Sequence, residues 1–255
     1  MLRQTILRYT RYLVPALLMT HASLAQEAHQ IPEGFTLPQG DLVFSSSALQ
    51  AELDGSVDLG AMAQENSALG ERASSFGFSV KSDEANVFLV GALYSEALAF
   101  LRSGNFALAE DRLEALQQQF IRLGVPSSLY SYVTKVLNLV GKKQYSDEAL
   151  LDMLSLFQPF FEDYASNRSD DFLILFRAGS WLVDLSLAAA AENTTMLRQQ
   201  AHLAYIVQEM ERMDAPPGVG DALGQIAEIT AKEEITTRDL QSVVGQVKRI
   251  QSILG

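Results

Sequence analysis

Two charged residues stand alone in the most apolar stretch of the chain. Between Phe172 and Ala191 only Arg177 and Asp184 carry charge, and the single tryptophan, Trp181, lies between them. At a spacing of seven they fall on nearly the same face of a helix, so both meet partners along one edge. Inside a fold they would form a buried ion pair or cap neighbouring helix ends. Alternatively, Arg177, Trp181 and Asp184 line a pocket for an anionic or amphiphilic ligand.

Other ingredients of catalysis are sparse. The absence of cysteine removes disulfides, thiolate nucleophiles and thiolate metal ligands together. Beyond residue 25 the only histidines are His29 and His202, with no HExxH pattern and no carboxylate at ligand spacing. A Ser-His-Asp triad would have to use His202, and no G-x-S-x-G elbow supports one. Gly218-Val219-Gly220 lacks the Lys and Ser/Thr of a phosphate loop and reads as a hinge. Glu162, Asp163, Asp170 and Asp171 lack the alternation and glycine of a calcium loop and read as a solvated linker face. A carboxylate-based enzyme, whose two acids are brought together by the fold rather than by spacing, is a third reading. No catalytic residue, metal ligand or cofactor is expected.

The elements that must position these residues are helices. Ser82 caps an apolar stripe through Val90, Leu93, Ala97, Phe100 and Leu101, with Asp83 and Glu84 favourable to its dipole. Gly104-Asn105 breaks it, and a second stripe runs from Phe106 through Phe120 to a stop at Gly124 and Pro126. A third helix starts at Ser127. Ser146 caps a fourth, which Pro159 kinks or ends. Phe172–Ala191 is long enough to span a membrane, but its two central charges favour a buried central helix. Thr194 is expected to cap a helix through Met210, and a final pair covers about 221–232 and 237–254. The expected class is all-α, built from antiparallel helical hairpins as a solenoid or an irregular bundle. The helical-hairpin domain would be 82–213, with 219–255 as a C-terminal pair.

The start of the chain reads differently. Arg3, Arg8 and Arg11 precede a short apolar run ending in Ser23-Leu24-Ala25, the layout of a secretory signal peptide cleaved after Ala25. Residues 26–47 read as a flexible leader, and 48–81 as a poorly defined segment whose Phe76-Gly77-Phe78 docks on the helices that follow. The whole chain carries a formal charge of −12, and removing three arginines would take it to −15. Such acidity disfavours nucleic acid and anionic lipid surfaces as partners. With no further membrane span expected, the chain reads as a soluble periplasmic or secreted protein of a bacterial envelope.

Leu93, Ala97, Phe100, Gly104-Asn105-Phe106, Ala109 and Leu113 together resemble one tetratricopeptide unit. Tyr145 to Ala149 follows the pattern loosely, with one residue too many between its aromatic and its alanine. Its aromatic also lies 39 residues after Phe106, where a strict unit of about 34 is required. The resemblance implies a helical repeat that binds a protein or peptide along Tyr94, Leu98, Leu101 and Arg102.

Overall fold

Short polar residues set the helix starts where the sequence places them. Ser82 and Ser146 accept hydrogen bonds from the backbone N–H groups of Ala85 and Ala149, which would otherwise lack partners in the first turn. Asn105 does the same for Leu108, and Gly124 ends its helix in the left-handed conformation at φ 60°. The computed structural model describes residues 42–53, 55, 57–67, 82–142 and 145–254. Among these it has twelve helices and no strand: α1 (Ser46–Leu53), α2 (Leu59–Asn66), α3 (Asp83–Arg102), α4 (Phe106–Leu123), α5 (Ser127–Lys142), α6 (Asp147–Ser155), α7 (Phe157–Arg168), α8 (Asp170–Ala190), α9 (Thr194–Leu197), α10 (Gln200–Arg212), α11 (Pro217–Thr230) and α12 (Thr237–Leu254). The class is all-α.

The centre is the pair α3 and α8. Phe88, Gly91 and Ala92 meet Phe176, Gly179 and Ser180, and Ser95 meets Asp184, so the two helices run in the same direction. A Cβ on Gly91 would lie 2.1 Å from the Phe176 carbonyl oxygen, and one on Gly179 would lie 2.1 Å from that of Phe88. Only glycine permits this approach. By length and composition both helices could cross a membrane, yet in each 89% of the most apolar stretch is buried by the rest of the protein.

Around this pair, α4, α1, α2, α6, α7 and α12 share one continuous core. The helices therefore close on a common centre rather than contacting only their sequence neighbours. Because α12 packs along α8, the C-terminal pair belongs to that core and is not a separate domain.

Several expected boundaries move. Residues 42–47, expected in the leader, are packed in part: Phe44 is 6% exposed and Ser46 begins α1, while Val43 between them and the solvent is exposed. The ill-defined stretch from 48 supplies the rest of α1 and all of α2. Asn193, not Thr194, caps α9, and the chain breaks again before α10, so one expected helix becomes two. Gly218-Val219-Gly220 is the first turn of α11 behind Pro217 rather than a hinge. The break near Pro159 falls at Leu156, which leaves the proline in the first turn of α7, where the missing N–H is harmless. The proposed signal peptide and Phe76-Gly77-Phe78 lie outside the described residues.

Candidate functional site

The sequence of α7 carries four rings in eight residues: Phe157, Phe160, Phe161 and Tyr164. Their spacing of i, i+3, i+4 and i+7 puts them on one helical face about 100° wide, and the structure divides that face between core and surface. Phe157 and Phe161 are fully buried, in ring contact with Phe120, Phe176 and each other at 4.7–6.3 Å. Phe160 turns outward and is 51% exposed.

Phe160 forms one wall of an open groove of about 540 Å³ between α5 and α7. The other lining residues are Pro126, Ser128, Leu129, Tyr132, Asp163, Tyr164 and Asn167. Tyr132 packs edge-on to Phe160, with ring centroids 5.7 Å apart, and its hydroxyl donates to the Met153 carbonyl. The Tyr164 hydroxyl donates to the Leu123 carbonyl at 3.4 Å. These bonds fix both rings, and burial pushes both phenols above their ordinary range, keeping them neutral donors. The left-handed turn at Gly124 brings Pro126 to the edge of the groove. Asp163 is exposed and forms no ion pair among the described residues. The result is an apolar, pre-formed cleft with a carboxylate and an amide at its rim, of a size that takes a small ligand or a few side chains.

The face expected to bind a partner is not exposed. Tyr94, Leu98 and Leu101 are each 0% exposed, because α3 is enclosed on all sides by α4, α8 and the short helices α1, α2 and α6. Tyr94 lies 5.3 Å from Phe157 and donates to Gln158 Oε1 at 3.4 Å. Arg102 is half-buried and donates to the Ser47 carbonyl at 2.8 Å.

Arg177 and Asp184 each touch the chain's own residues 44–50, and each has a further partner on another helix, Glu162 of α7 and Ser95 of α3. Arg177 lies over the Phe44 ring at 5.4 Å and pairs with Glu162 at 2.7 Å. Asp184 Oδ1 accepts from Gln50 Nε2 at 2.9 Å and from Ser95 Oγ at 2.7 Å. Burial pushes the Asp184 carboxyl up to about 6, against the pull of these donors and of Arg102. Trp181 is 2% exposed and its indole N–H donates to Gln199 Oε1 at 2.9 Å. Trp181 and Asp184 are thus enclosed by protein, while the Arg177 side chain remains 22% exposed beside Glu162.

Sequence reasoning also missed a second buried charge cluster. Arg112 pairs with Glu96 and with Asp111 at 2.6 Å, and its guanidinium lies 5.3 Å from the centre of the Phe100 ring. Ser67 donates to Glu96 at 2.6 Å. Burial pushes the Glu96 carboxyl up, while Arg112 and Ser67 pull it back. Residues 96 and 112 lie in different helices, so no local spacing links them. The Nε2 of His202 meets the Val43 carbonyl at 3.0 Å. No group of three or more metal-ligating side chains occurs among the described residues. Comparisons with protein-family models, with curated proteins and with solved structures find no match to this chain.

Proposed function

We propose that this chain is an exported, non-catalytic binding protein of the bacterial envelope that takes a short segment of a partner protein into the α5/α7 groove. The observation that carries the reading is Phe160, a half-exposed phenylalanine forming the wall of an aromatic cleft whose tyrosines are already fixed by hydrogen bonds. Exposed aromatic surface beside fixed apolar walls is what an anchor side chain fills. The Asp163 carboxylate at the rim and the formal charge of −12 favour a segment in which an apolar or aromatic anchor is followed by Lys or Arg. The arginine-led, apolar N-terminus supports export, and the acidity argues against nucleic acid as the partner.

A selection from a random peptide library on the full chain tests this. Enriched peptides should carry an apolar anchor with a neighbouring cation. F160D should weaken them at least tenfold while leaving the thermal unfolding midpoint nearly unchanged. Failure to enrich any peptide, or binding indifferent to F160D, would overturn the reading.

A further inference from the structure

Residues 43–53 are held on the body by side chains from five different helices. Arg102 of α3 donates to the Ser47 carbonyl, Ser155 of α6 donates to Ser47 Oγ at 2.8 Å, and Gln158 of α7 donates to the Phe44 carbonyl. His202 of α10 meets the Val43 carbonyl, and Asp184 of α8 accepts from Gln50. The helix they anchor, α1, has only eight residues. A helix that short does not hold itself in water, so docking maintains it. Its buried face is Ser46, Gln50 and Leu53, and the Gln50 side chain, 0% exposed, enters the α3/α8 crossing.

The same segment braces the groove. Helix α7 turns Gln158 and Glu162 toward residues 44–47, and Phe160, Asp163 and Tyr164 toward the groove. The N-terminus of α7 has no side-chain cap of its own. Releasing α1 would remove the Gln158 bond to Phe44 and the ring beneath Arg177, the partner of Glu162. We propose that Val43–Leu53 is a pH-sensitive latch, held through Asp184, whose undocking loosens α7 and so reshapes the groove. Its consequence for binding rests on the groove reading; the latch itself does not.

The sign follows from the surroundings of Asp184. Gln50 and Ser46 face it from α1, and Ser95, Arg102 and Tyr94 face it from α3. Toward the other faces of α8, α7 presents Glu162, already paired with Arg177; α2 and α12 present Asn66 and Gln251. Glu96 of α3 lines that opposite side with Arg112. While α1 is docked, Asp184 Oδ2 is buried without a hydrogen bond, as is Ser46 Oγ. Such a site favours the neutral acid and disfavours the carboxylate. Undocking returns Asp184 to water and to an ordinary carboxyl affinity for protons. The latch is therefore tightest below about pH 4 and loosens as pH rises through about 6. The undocking equilibrium should rise about tenfold between pH 5 and pH 8.

Hydrogen exchange of the full chain, corrected for intrinsic rates, reads this directly. Protection of residues 46–53 and of 157–165 should fall together by about tenfold from pH 5 to pH 8. D184N mimics the neutral acid and should keep both segments protected across that range. Q50L should leave both weakly protected at every pH. Protection in the wild-type chain that does not change with pH would overturn the latch. So would a D184N variant with the wild-type pH dependence, while loosening of 46–53 without 157–165 would overturn the coupling to α7. None of these readouts involves a peptide, so a failed latch and a failed groove are distinguishable.

Discussion

The α3/α8 crossing and the α5/α7 groove hold similar residue types in opposite settings. At the crossing, Tyr94, Trp181 and Asp184 are enclosed and every ring or charge meets a neighbour from the same chain. At the groove, Tyr132, Phe160 and Asp163 stand at the surface, with the tyrosine fixed and the carboxylate unpaired. An aromatic or charged side chain is therefore not by itself a sign of a site. What separates the two regions is access, and access is decided by how closely the backbones approach.

The sharpest way to break the comparison is at the backbone. Gly91→Ala or Gly179→Ala would place a methyl 2.1 Å from a carbonyl oxygen that cannot move without shifting a helix. Either should cost more than about 4 kcal/mol or prevent folding, as denaturant titration would show. Phe161→Ala comes next, because its ring touches Phe120, Phe157, Tyr164 and Phe176 from a fully buried position. A loss of about 3–5 kcal/mol is expected.

Asp184→Asn should act through pH. The folded-state carboxyl is held up at about 6, so its contribution to stability is full below about pH 4 and disappears as pH rises past 6. Relative to pH 4, the variant should gain up to about 3 kcal/mol over the wild-type chain at pH 8. Equal pH profiles for the two proteins would remove Asp184 from the account. Glu96, also held up by burial, is common to both and cancels. The smallest expected effect belongs to Phe160→Ala, which should change stability by less than about 1 kcal/mol while abolishing peptide capture.

Local signals carried much of the fold. Ser82, Asn105, Gly124 and Ser146 mark helix ends through short-range hydrogen bonds that a sequence displays directly. The stripe of α12 from Leu240 to Leu254 is equally plain, and its helix spans Thr237–Leu254. What could not be read is long-range. A glycine within a helix registers only as a cost until its partner is known, and Gly91 and Gly179 make sense only against each other. Helix α1 was obscured because Gln50 and Ser46, polar residues in the buried stripe, are satisfied or enclosed by side chains 45 to 134 positions away. The Arg177–Asp184 edge was legible as a direction, since spacing gives a face, but not its occupant. The groove had no such signal: the rings of Phe157–Tyr164 recur at the spacing of an ordinary buried face, and only the packing of α5 beside α7 leaves Phe160 outside.

The most direct measurement of the contrast between closed centre and open groove is amide chemical-shift mapping of the full chain titrated with a selected peptide. Saturable shifts should cluster at residues 126–132 and 160–167, with little change at 91–98 or 177–184. Shifts centred on the α3/α8 crossing, or none that saturate, would contradict the assignment of binding to the groove.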